Sequence, residues 1–192
     1  MCIRDSRHPV DGVREWLAFA DPVDSWEADE LSDVKDVLDA AEAANRRGLW
    51  VVGMVSYDAG PAFDVALRSL RAEDVPLASF AAFETPTMTT LPSGGDFAIG
   101  RWKATRVRRE YEADIRRVKD LIACGETYQV NYTMRLEADF DGDPLGFFAA
   151  MARAQRSADH LAFLDFGDRA ACSASPELFI RRSGRTLESR PM

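Results

Sequence analysis

Between residues 31 and 47 the apolar positions Leu31, Val34, Leu38, Ala41 and Ala44 recur at helical spacing, with Asp and Glu on the other side. This pattern predicts an amphipathic helix. Gly48 follows Arg46 and Arg47, a suitable stop with cations where the helix dipole favours them. The period then changes. Residues 49–57 (LWVVGMVSY) are apolar and β-branched and predict a short buried strand. Gly53 inside it marks a bulge or a close backbone approach, and residues 58–61 (DAGP) end it. Residues 76–84 (PLASFAAFE) predict a second strand, the polar residues 88–96 an exposed loop, and residues 97–102 a third strand.

The strongest helical signal runs over residues 108–124, where Tyr111, Ile115, Val118 and Ile122 stand at i, i+4, i+7 and i+11 before Gly125. Over residues 128–136, Tyr128, Val130, Tyr132 and Met134 alternate with Gln129, Asn131, Thr133 and Arg135, which predicts a strand. Residues 144–155 read as a helix with Pro144 in its first turn. Strands follow over 161–166, 170–173 and 178–182, and the turn 183–185 leads into 186–189. Helices mix with strand-on-strand runs and tight turns, so the fold class is α+β with antiparallel sheet. No repeat of 20–50 residues is present. The best boundary between two lobes is the loop 85–96.

Composition changes this picture little. With 46% hydrophobic and 10% aromatic residues the chain is ordinary globular material. Its formal net charge of −8 argues against nucleic-acid binding, which calls for a basic stripe. Residues 101–117 are rich in Arg but are interrupted by Glu110, Glu112 and Asp114, so they form a solvated helix face. Cys2, Cys124 and Cys172 are few, odd in number and far apart. They suit a reducing compartment rather than a disulfide framework, and Cys124 and Cys172 read as structural thiols. No apolar run reaches the ~18 residues that span a bilayer, and no secretory signal opens the chain. A cytoplasmic protein with neither nucleic-acid nor membrane partners is therefore expected. Residues 1–10 (MCIRDSRHPV) are set aside as a non-native or disordered start.

Stock catalytic motifs are absent: no GxGxxG, P-loop, HExxH or GxSxG. His8 and His160 lie far apart without partners at ligand spacing, so no metal site is built on them. Two stretches carry more. In residues 125–131 (GETYQVN), Gln129 and Asn131 share one face of an aromatic-rich strand. That face is either the solvated side of a half-exposed strand, which the pattern alone favours, or the wall of a polar pocket. In residues 173–179 (SASPELF), Glu177 directly follows a proline-fixed turn. This is either a simple Ser-Pro turn or a carboxylate held in a defined direction.

Together these stretches resemble the chorismate-binding enzyme family, which includes anthranilate synthase component I, aminodeoxychorismate synthase component I, and the isochorismate and salicylate synthases. The family's helix with Y…I…I..G leads into a strand close to GDIYQVNLT.RF. Here Tyr111, Ile115, Val118 and Ile122 precede GETYQVNYTMRL. The family's SASPERF, short hairpin and TRPMKGT correspond to SASPELF and the closing LESRPM. Its GxWVxGxLSYEAG and PLxWFxxFE.P are similar to GLWVVGMVSYDAG and PLASFAAFETP. The resemblance covers residues 21–192 in order and spacing. Asn131 and the RPM ending favour the aminodeoxychorismate branch, and the SYDAG segment points the same way. Anthranilate synthases more often carry a QVV-type strand.

The resemblance implies a two-sheet antiparallel sandwich with outer helices, here truncated. Residues 11–86 would form the N-terminal lobe and residues 97–192 the start of an incomplete chorismate-binding domain. It implies conversion of chorismate and ammonia to 4-amino-4-deoxychorismate, a precursor of p-aminobenzoate and folate. The ammonia would come from glutamine through an amidotransferase subunit or fused domain, and Mg2+ would be the cofactor. Chorismate is a dianion, so Mg2+ and basic groups would offset its carboxylates. Loss of hydroxide needs a Lewis or general acid, and a lysine can open a covalent route. That lysine would directly follow Met192, and the metal-binding glutamates would lie beyond it. No catalytic residue and no metal ligand is therefore placed on this chain, which is expected to be the inactive N-terminal portion of a longer enzyme. Asn131, Glu177 and Arg190 are carried over as substrate-proximal, with Arg190 orienting the lysine segment. Some relatives bind tryptophan using an N-P-x-P-type run where this chain has residues 156–160 (RSADH), a departure that counts against tryptophan binding. Unpaired strand edges predict a chain that is poorly soluble or partly molten. The alternatives are a fragment of anthranilate synthase component I, or a non-catalytic module binding an amidotransferase or an aromatic ligand.

Overall fold

The computed structural model of the chain describes residues 2–7, 14–70, 75–155 and 160–191. Along the chain the elements are β1 (Cys2–Arg7), β2 (Arg14–Phe19), β3 (Asp24–Ala28), α1 (Val34–Arg46), β4 (Trp50–Val55), a 3-10 turn (Tyr57–Ala62), β5 (Ala78–Phe83), β6 (Thr87–Thr89), β7 (Phe97–Ile99) and β8 (Lys103–Ala104). They continue as α2 (Arg108–Ala123), β9 (Leu136–Glu137), β10 (Phe140–Gly142), α3 (Pro144–Ala154), β11 (His160–Asp165), β12 (Ala170–Ser175), β13 (Leu178–Ser183) and β14 (Thr186–Arg190). Every strand pair is antiparallel, so the α+β class stands. Contacts gather into two units, residues 1–94 with 144–192, and residues 95–143.

In the first unit, two sheets each carry a helix. The larger has the order β12-β11-β1-β2-β6. Residues 2–7, set aside at the start of the chain, supply its middle strand. β1 lacks an apolar period, and its place comes from backbone pairing with β2 on one side and β11 on the other. α3 packs on this sheet through Phe148 and Ala152, which meet Trp16, Leu161 and Phe163. The second sheet has the order β3-β5-β4. α1 covers it with Val34 and Val37 against Ala28, Ala59, Leu77 and Ala78. Phe19 of β2 packs on Phe83 of β5 and Trp50 of β4, at ring-centroid distances of 5.4 and 6.1 Å, and joins the two sheets. α1 begins at Val34 rather than 31, and β2, β3 and β6 were absent from the pattern read along the sequence.

Gly53 sits where β4 crosses Phe80 of β5. A Cβ there would run into the Ser79 carbonyl and the Phe80 ring, which is the close backbone approach expected of a glycine inside a strand. β13 and β14 form a separate hairpin with a register shift between Leu178 and Arg181. Its residues Phe179, Ile180 and Leu187 are exposed.

The second unit holds α2 and two short pairs, β7 with β10 and β8 with β9. α2 spans its predicted range, yet none of its residues is buried. The strand expected over 128–136 is corrected: the backbone there is irregular and only Leu136–Glu137 is a strand, paired with β8. Side-chain alternation assigns faces, but a strand exists only through a partner, and no strand among the described residues pairs with 128–135. The strand expected over 97–102 is likewise shortened to Phe97–Ile99.

Candidate functional site

The turn between β12 and β13 is built by Ser175. Its hydroxyl accepts the Glu177 N–H at 3.2 Å and donates to the Glu177 carbonyl at 3.2 Å. Pro176 lies between them and fixes its own φ. Glu177 thus has its backbone held at the start of β13. It lines a groove of about 420 Å³ together with Val52 and Phe80 of the smaller sheet, His160 and Leu164 of β11, and Ser173 of β12. The groove is apolar strand surface with a few polar groups converging on it, the usual composition of a small-molecule site. Among the described residues lining it there is no Lys or Arg.

Arg190 stands directly across the hairpin from Leu178, the neighbour of Glu177. Its guanidinium pairs with Glu188, at 2.6 Å through Nη2 and 2.7 Å through Nε. Glu188 also takes Arg181 at 3.6 Å. The structure therefore brings Glu177 and Arg190 to one end of a hairpin. Asn131 lies in the second unit, exposed, with its Oδ1 accepting from Gln129 Nε2 at 3.2 Å. Of the segment linked to tryptophan binding, residues 156–159 lie outside the described residues.

The second unit carries a cluster that the sequence did not single out. Asp114 of α2 accepts at Oδ2 from the Tyr132 hydroxyl at 2.6 Å, from Arg106 Nη2 at 2.7 Å and from Arg106 Nε at 3.2 Å. The Tyr132 hydrogen bond and then Arg106 hold the Asp114 carboxyl below its ordinary range. Donation to that carboxylate pushes the Tyr132 hydroxyl up. The signal available in the sequence was Asp114 one turn beyond Tyr111 on the helix face. Arg106 and Arg117 border a shallow groove beside the cluster. In the first unit, burial pushes the Cys172 thiol up, and its Sγ lies 3.7 Å from the Pro144 carbonyl.

Among the described residues no group of three His, Cys, Asp or Glu side chains could hold a metal ion. The described residues therefore do not make a Mg2+ site. No helix among them is long and apolar enough to cross a membrane.

A sequence profile described as chorismate binding enzyme matches residues 86–192. The chain belongs to this family. It is similar to the aminodeoxychorismate synthase component 1 of Salmonella typhimurium, at 27% identity over 168 residues, covering 73% of this chain and 37% of the relative. It is 33% identical to the enzyme of that name from Klebsiella aerogenes over 125 residues, covering 65% of this chain and 27% of the relative. Anthranilate synthase component 1 of Thermus thermophilus is 32% identical over 92 residues, 48% of this chain and 20% of that protein. The chain thus spans about a third of the length of the first two relatives.

Proposed function

We propose that the chain is the N-terminal part of an aminodeoxychorismate synthase component 1, whose complete form converts chorismate and ammonia to 4-amino-4-deoxychorismate in the cytoplasm. The observation that carries this reading is the alignment over 168 residues with a protein of that name, supported by Asn131 and the closing RPM. Glutamine is the proposed source of ammonia, through an amidotransferase partner. Mg2+ is the proposed cofactor, offsetting the substrate carboxylates when bound, and its ligands are placed beyond Met192.

In this reading the groove beside Glu177 is one wall of the chorismate site. It lacks Lys and Arg among its described lining residues, so it is poorly suited to hold a dianion by itself. Arg190, tied to Glu188, holds the hairpin end from which the chain continues. The 192 residues alone are accordingly inactive.

The test is to supply the complete gene product with chorismate, Mg2+ and ammonium, and to resolve products by chromatography and mass. 4-Amino-4-deoxychorismate is expected. Anthranilate, recognised by its fluorescence, would instead support the second reading, which rests on the 32% identity to an anthranilate synthase component 1. Neither product would leave the non-catalytic binding module standing.

A further inference from the structure

Residues 127–134 lack a strand partner among the described residues, and their internal ties are short. Thr127 Oγ1 donates to the Gln129 carbonyl at 3.0 Å, and Gln129 Nε2 donates to Asn131 Oδ1 at 3.2 Å. The ends are fixed. Glu126 N–H bonds the Leu121 carbonyl at 3.0 Å, and Thr105 N–H bonds the Arg135 carbonyl at 3.0 Å. Thr105 Oγ1 adds hydrogen bonds to the Arg135 carbonyl and N–H, both at 3.2 Å. Between these ends, the hydrogen bond that ties the stretch to another element among the described residues is that of Tyr132 to Asp114.

That contact is well built. Tyr111 and Asp114 lie three residues apart on α2 and face the same side. The Tyr132 ring meets Tyr111 edge-on at 5.5 Å, which aims its hydroxyl at the carboxylate. A carboxylate only accepts, so the phenol must donate and its direction is set. Arg106, next to the first turn of α2, bonds the same carboxylate oxygen and helps to fix it.

We propose that Asp114 is a positioning residue: through Tyr132 it holds residues 127–134 on α2 and so sets where the side chains of Gln129 and Asn131 stand. Its catalytic meaning rests on the function proposed above, in which Asn131 is substrate-proximal. The hold on the segment does not.

The first arm of the test uses the 192-residue chain and chymotryptic cleavage after Tyr128, which needs the segment to open. Asp114→Asn and Tyr132→Phe each should speed cleavage about fivefold, the size of one net hydrogen bond, and the double variant should be no faster than either. Tyr132→Phe keeps the ring on Tyr111, so a folding failure is not expected of it, and cleavage after Phe163 in β11 serves as the internal control. Unchanged rates, or effects that multiply in the double variant, would overturn the hold. The second arm uses the complete enzyme. Tyr132→Phe should raise KM for chorismate several-fold with a smaller change in kcat. Faster cleavage with both constants unchanged would overturn the positioning role. A wild-type enzyme without activity on chorismate would sink the proposed function, and cleavage alone would then decide the hold.

Discussion

Phe148 and Phe179 are the same residue type in opposite settings, and truncating each measures whether the first unit has a specific core. Phe148 is 0% exposed. Its ring meets Trp16 edge-on at 5.9 Å and Phe163 at 5.6 Å. Phe179, on the β13–β14 hairpin, is 82% exposed. Phe148→Ala removes the transfer energy of a buried ring and leaves a cavity, a loss of about 3–5 kcal/mol. The two ring pairs place it toward the upper end, since each such pair adds about 0.5–1.5 kcal/mol beyond area burial. Against a total stability of about 5–15 kcal/mol, this is a third of the margin or more. Phe179→Ala should stay within about 0.5 kcal/mol and should improve solubility, because it removes exposed apolar surface. Urea unfolding followed by tryptophan fluorescence, in which Trp16 reports on the Phe148 contact, measures both. Similar losses for the two variants would refute the reasoning, since they would mean that the ring contacts of Phe148 are not specifically formed.

Three further outcomes follow from the geometry. Gly53→Ala, whose Cβ would strike the Ser79 carbonyl and Phe80 ring, should cost about 1–3 kcal/mol as an overpacked site, and an unchanged urea midpoint would contradict the close approach of β4 and β5. In a Cys2→Ser background, Cys124, exposed, should react with a thiol reagent at least about tenfold faster than Cys172, whose thiolate burial disfavours; equal rates would remove the packed environment assigned to Cys172. In an ultraviolet titration, Tyr132→Phe should delete a tyrosinate component lying above the ordinary range of 10.0. The raised Tyr132 value contributes stability that is full below that range and is lost as pH rises through the folded value. The lowered Asp114 value contributes stability present above 3.8 and lost as pH falls through its folded value. A fluorescence plateau unchanged across both windows would contradict the pairing.

The sequence disclosed whatever local periodicity or a fixed turn could carry. The stripe of α1, the strand β4 with its glycine, the long α2 and the Ser-Pro turn before Glu177 were all legible. What escaped depended on partners distant in the chain. β1 has no apolar period, and β3 is a five-residue stretch whose place is set by β5. The alternation at 128–135 is real, but no strand among the described residues pairs with it to make it a strand. His160, dismissed as a metal ligand for want of partners nearby in sequence, lines the groove with Glu177 because β11 and the turn after β12 converge in space. The Asp114 cluster draws its three members from the residues just before α2, from within the helix and from the segment beyond it, a relation that sequence spacing does not express.

The middle position of β1 sets a timetable for biosynthesis. Cys2 lies beside Phe19 on one side and Leu164 on the other, so β1 finds one neighbour soon after it leaves the ribosome and must wait for the second until β11 has been made. At about 5–20 residues per second the delay is roughly ten to thirty seconds. Throughout it, the unsatisfied flank of a two-neighbour strand is open to any other nascent chain. Slowing translation upstream of β11 should therefore lower the yield of soluble product more than the same slowing placed after β12.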